Sequence, residues 1–189
     1  STVLPSITLR RLELGEARFE HVQALLYDCA DLSAHLGVRI DGVLGFPLFH
    51  ETIFTLDYPH ARLLISPSGD LGLTPGSSFT FNPTTRVPLI PVQLGDRTLL
   101  TLIDSGSDGP FNFNPIGFSP RFVSGPRPGV AVSTLAGERI QEVGRLDDTL
   151  RIGNYSLPRP VVDLTDQLSS IGGGILRHFT VTFDPARGN

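Results

Sequence analysis

Leu102-Ile103-Asp104-Ser105-Gly106-Ser107 closes an alternating apolar run that starts at Pro91 and opens into a glycine turn. Alternation of this kind is the mark of a half-buried strand, so the aspartate stands where a rigid strand gives way to a tight loop. Small residues beside it let backbone approach the carboxylate closely. The run occurs once in 189 residues.

Outward from this stretch, the chain keeps the same character. Twenty glycines and 16 prolines punctuate short Val, Ile, Leu, Thr and Phe runs, a pattern of strands and turns with few short helices. The expectation is an all-β fold, and 40% apolar residues suffice to fill its core. A net charge of −4, with all 15 cations being scattered arginines, speaks against nucleic acid as a partner. The single cysteine, Cys29, excludes an internal disulfide and carries no thiol-nucleophile or zinc signature, and reads as a small buried apolar side chain. No apolar run approaches the ~20 residues that span a bilayer. The absence of methionine fits a processed product or a fragment.

Self-similarity organises the chain. Leu12-Glu13-Leu14-Gly15 through Phe19 matches Leu150-Arg151-Ile152-Gly153 through Leu157. Val43-Leu44-Gly45, continuing through Ile53–Leu56 to Asp57, matches Ser170-Ile171-Gly172, continuing through Thr180–Phe183 to Asp184. The first copy carries 11 more residues between its two glycines than the second, and Ala30–Leu36 before Gly37 is expected to form a short helix there, covering a sheet edge. Residues 71–86, rich in Pro, Gly, Ser and Thr, read as a linker between segments 1–70 and 87–189. Offsetting the first match by 138 positions sets Ser1 opposite Arg139, so the first copy is expected to lack a counterpart of 87–138, where its own Asp-Ser-Gly run would lie.

These residues resemble the pepsin-like and retropepsin-like aspartic peptidases, including the bacterial type. Each lobe of that family carries a hydrophobic-hydrophobic-Asp-Thr/Ser-Gly run and, later, a hydrophobic-hydrophobic-Gly run. Both are present at Leu102–Ser107 and Ser170-Ile171-Gly172, with Ser170 departing from the apolar preference; only the later run, Val43-Leu44-Gly45, is present in the first copy. The resemblance implies an acid-protease fold of β-barrel lobes with a psi-loop active site. It implies 1–70 as the latter part of a first lobe and 87–189 as a complete second lobe. It further implies an endopeptidase with Asp104 as catalytic aspartate, Ser105, Gly106 and Ser107 as its support, and Gly172 as the psi-loop glycine. Ser107 is expected to hydrogen-bond the outer oxygen of Asp104, and a flap-like hairpin is expected around Ser133–Gly137. No metal or cofactor is needed. The partners implied are a peptide or protein substrate and a source for the second aspartate, either a first-lobe fragment or a second copy of the chain. By analogy with multi-lobe bacterial relatives the compartment leans extracytoplasmic, though the residues do not specify it.

Other readings of the same residues carry less. Asp104 could be a plain turn former. A calcium loop fails, since Gly106 and Pro115 stand at ligand positions. Neither Ser105 nor Ser107 lies in a Gly-x-Ser-x-Gly elbow. The five histidines read as surface or satisfied residues and not ligands, Asp57 and Asp184 as strand-end turns, and Phe111, Phe113 and Phe118 as core or cleft. The competing function is a catalytically inactive peptide-binding or assembly module on the same scaffold.

Overall fold

The computed structural model describes residues 4–67, 76–134 and 137–189, and they are mostly β, with two short α-helices. They fall into two compact units, 1–49 and 50–189.

In the first unit, β1 (Ser6–Leu14) and β2 (Ala17–Leu25) form an antiparallel hairpin. Gly15 closes it with φ +60°, a conformation open to glycine at little cost. Ile7, Leu9, Leu12 and Leu14 share the half-buried face, and none of them is fully buried. The alternation slips by one place at Arg10-Arg11 and, across the hairpin, at His21, whose φ is +53°. α1 (Ala30–Leu36) forms where expected and ends at Gly37, but none of its residues is buried and Leu36 is exposed. Cys29 is half-buried rather than buried; its carbonyl accepts the amide and hydroxyl of Ser33 at the start of the helix. Phe49, in a 3-10 turn at Phe46–Phe49, is buried and meets Phe19 edge-on.

The second unit starts with β3 (Thr52–Asp57) and β4 (Arg62–Pro67), followed by β5 (Leu89–Leu94), β6 (Arg97–Ile103), β7 (Phe111–Phe113), β8 (Phe122–Thr134) and β9 (Gly137–Leu146). Then come β10 (Thr149–Ile152), β11 (Tyr155–Pro158), β12 (Val161–Leu164), β13 (Ser170–Ile171), α2 (Gly173–Leu176) and β14 (Thr180–Phe183). Nine strands make one sheet in the order β11-β10-β5-β6-β13-β7-β12-β9-β8; β14-β3-β4 make another. Alternation works as the sequence implies: Ile90, Val92 and Leu94 of β5 point inward to join Phe111, Phe113, Leu146, Leu150, Val162 and Ile171 in one core.

The repeat is structural as well as sequential. β10 and β11 turn at Gly153, φ +55°, with Ile152 opposite Tyr155 just as Leu14 stands opposite Ala17. More telling, β3 and β14, matching strands of the two copies, pair with each other antiparallel. Thr55 stands opposite Thr182, its own counterpart under the 127-position offset, with their hydroxyls 2.8 Å apart. A local two-fold axis therefore passes between these threonines, flanked by the stacked rings of Phe54 and Phe183.

This pairing draws 50–67 into the unit that holds 87–189, so the compact boundary falls at 49/50 and not within 71–86. Part of the expected linker, 71–75, lies outside the described residues, as do 68–70 before it. The rest is anchored: Phe81 is buried, its amide bonds the Gly188 carbonyl, and Ser78 Oγ donates to Asn189. Two phenylalanines in a stretch otherwise rich in turn formers account for this, since Phe79 packs on the core too. The hairpin expected around 133–137 is the β8-β9 connection, with Thr134 opposite Gly137; residues 135 and 136 lie outside the described set.

Candidate functional site

β13 lies between β6 and β7, parallel to the first and antiparallel to the second. The loop 104–110 joins β6 to β7 and so has to pass the end of β13. Asp104 is the first residue of that loop, half-buried, its amide donating to the Ile171 carbonyl at 3.0 Å. Its Oδ1 accepts the Gly106 amide at 3.0 Å, and its carbonyl accepts the Ser107 amide at 3.3 Å. Ser105 and Gly106 are exposed.

The loop is fastened to the start of α2. Gly172 N–H bonds the Pro110 carbonyl, Gly173 N–H the Ser107 carbonyl at 2.7 Å, and Gly174 N–H the Gly109 carbonyl. Gly172 has ordinary extended backbone, φ −104° and ψ −172°, so its requirement is space. A Cβ there would lie 2.3 Å from the Gly109 carbonyl oxygen and 2.9 Å from Ser107 Oγ. Thus Asp104, Ser105, Gly106, Ser107 and Gly172 come together at one place.

Ser107 sits differently from the expectation. Its Oγ lies by Gly172 and accepts from Asn112 Nδ2 at 3.2 Å, and no bond to the Asp104 carboxylate forms. Asn112 also donates to Ser170 Oγ at 2.9 Å and accepts from Gln141 Nε2 at 3.3 Å. That chain of side chains explains the polar Ser170 in an otherwise apolar run: it is buried but hydrogen-bonded. Asn112 and Gln141 escape a reading of the sequence because their partners are remote in the chain. A neighbouring carboxyl, Asp163 on β12, is pushed above the usual aspartate range by burial and then by the charge of Asp108.

Tyr58, just after β3, is the other residue the sequence did not single out. Burial raises its hydroxyl above the ordinary tyrosine range; the nearby Ser105 hydroxyl pulls it down and the Asp104 charge pushes it up. Asp57 beside it is buried and takes bonds from His60, Arg62 and Thr180. Asp184, its counterpart, bonds Arg187. Phe111 and Phe113 are core residues with no exposed surface, while Phe118 is half-buried against Phe113 and under Arg97. His21, His35, His50, His60 and His178 are exposed. Among the described residues no group of three or more His, Cys, Asp or Glu side chains could hold a metal ion. No protein-family model matches the chain, and no curated protein matches it.

Proposed function

We propose that the chain is part of an aspartic-type endopeptidase of pepsin-like or retropepsin-like fold, with Asp104 supplying one of two catalytic carboxylates. The observation that carries this reading is the wedge of β13 between β6 and β7, with Gly172 pressed on the loop that presents Asp104. A carboxylate on a loop fastened at both ends is held in place without being sealed from solvent, as a general acid or base must be.

Two aspartates at close range cannot both ionise, so they share a proton and titrate as a pair. The ionised member takes a proton from a water held between them, and that water attacks the peptide carbonyl. The protonated member polarises the carbonyl oxygen and later protonates the leaving amine. The chemistry runs without metal, cofactor or covalent intermediate. Ser105 and Gly106 let the facing loop come close, and Ser107 and Asn112 hold the loop from below.

The second aspartate comes from another polypeptide segment. The Thr55–Thr182 two-fold supports this, since a scaffold built about that axis calls for a counterpart of the Asp104 loop. A β-rich polypeptide that completes the β1-β2 hairpin is preferred over a second copy of the chain, because two strands alone leave their edges unpaired. The single Asp-Ser-Gly run also supports a second reading, a peptide-binding module without catalysis.

Incubation of the protein with a mixture of denatured proteins, followed by mass spectrometry of new termini, tests the reading. Asp104→Asn is expected to lower cleavage at least about a hundredfold with the fold intact. Equal cleavage by the variant would overturn the assignment; peptide binding without cleavage by an assembly that also holds a second Asp-Thr/Ser-Gly run would select the binding module.

A further inference from the structure

Tyr58 is placed to act on the Asp104 turn. It opens the 3-10 turn Tyr58–His60 that follows β3, and its ring packs against the apolar core of its unit. The preceding Asp57 fixes its backbone, through the bonds from His60 and Arg62 and a 3.2 Å bond from Thr180 on β14. Its hydroxyl has no contact with solvent and no hydrogen-bond partner. Buried hydroxyls are almost always bonded, and one that is not marks strain or a contact completed in another state. The polar groups acting on it are Ser105 and Asp104, and Ser105 is exposed and free to change rotamer.

We propose that Tyr58 is a positioning residue for Asp104: its hydroxyl is a donor held beside Ser105, and it closes on Ser105 Oγ to tie the Asp104 turn to the β14-β3-β4 sheet. The bond links the strand pair on the two-fold to the front of the loop, while Gly172 and α2 hold its back. Its catalytic consequence rests on the endopeptidase reading; the contact itself does not.

The test uses the full chain with Tyr58→Phe, which keeps the ring and removes the hydroxyl, with Ser105→Ala as the reciprocal variant. Amide exchange at residues 104–107 is expected to quicken about fivefold in each, with no further increase in the double variant. In protein labelled at the tyrosine ring carbon that bears the oxygen, Tyr58 should titrate lower in Asp104→Asn and higher in Ser105→Ala. If the protein cleaves peptides, Tyr58→Phe should lower kcat and leave KM within about twofold. Faster exchange in a protein that cleaves nothing, even in an assembly that supplies a second Asp-Thr/Ser-Gly run, supports the Tyr58 contact and removes the peptidase reading. Unchanged exchange, with a Tyr58 titration indifferent to both variants, would overturn the proposal.

Discussion

Val43-Leu44-Gly45 and Ser170-Ile171-Gly172 occupy matching places in two copies of one pattern, yet their surroundings are opposite. Ile171 is 1% exposed and forms the wedge strand between β6 and β7; Leu44 is 46% exposed, Val43 69%, and neither lies in a strand. The difference is not in the glycine, which both copies keep, nor in apolar character, which is stronger in the first. It lies in whether strands such as β6 and β7 are there to receive the segment. A wedge is a non-local structure, and its backbone groups need neighbours on both sides. The β1-β2 hairpin repeats the lesson: β10, the counterpart of β1, is paired on its far edge by β5, whereas among the described residues β1 pairs with β2 alone.

The comparison predicts large asymmetries between equivalent substitutions. Ile171→Ala should lower stability by about 3 kcal/mol in denaturant unfolding, as a buried aliphatic truncated to alanine does, while Leu44→Ala changes it by less than about 1 kcal/mol. Equal effects would show that Leu44 is packed after all. The second contrast uses the glycines. Gly172→Ala forces a Cβ onto the Gly109 carbonyl and should cost about 2 kcal/mol, whereas at Gly45 the nearest atom, Pro47 Cδ, is 3.5 Å away and alanine should stay within about 0.5 kcal/mol. In complex with a polypeptide that fills the first unit, the contrast should shrink, because Leu44 and Gly45 then acquire neighbours.

A smaller effect separates two carboxyls within the second unit. The hydrogen bond from His60, opposed by burial and aided by Arg62, holds Asp57 below the ordinary aspartate value of 3.8. Its stabilisation is therefore present above that pH and is lost as pH falls through the lowered pKa. Asp163 is the reverse case. Its raised pKa means that its charge destabilises the fold at neutral pH, and the penalty is gone below the ordinary value. Asp163→Asn should then raise the melting temperature slightly at pH 7 and leave it unchanged at pH 3; Asp57→Asn should lower it at pH 7 and matter less at pH 3. Thermal unfolding at the two pH values reads both signs.

Much of this was legible in the chain because it is local. The turns at Gly15 and Gly153, the helix before Gly37 and the alternation along β5 follow from residues within a few positions of each other. The position of Asp104 at a strand end was legible for the same reason. What the sequence did not disclose depends on distant partners. Ser170 looked like a flaw in an apolar run, and only Asn112, 58 residues away, explains it. Phe81 sat in a stretch read as linker, and its anchor is Gly188. Residues 50–67 were grouped with the first segment because the repeat puts them there; the pairing of β3 with β14 is a consequence of symmetry that no local window contains. Tyr58 likewise reads as a strand-end aromatic until its hydroxyl is found beside the Asp104 turn.

On the function proposed above, Asp104 works only with a second carboxylate brought by another polypeptide. Native mass spectrometry of the species that cleaves peptide, collected from a sizing column and compared with its denatured components, tests this most directly. The expected result is a noncovalent assembly heavier than the 20.4 kDa chain, containing either a second polypeptide with its own Asp-Thr/Ser-Gly run or a second copy. Cleavage eluting with a lone 20.4 kDa chain would contradict it.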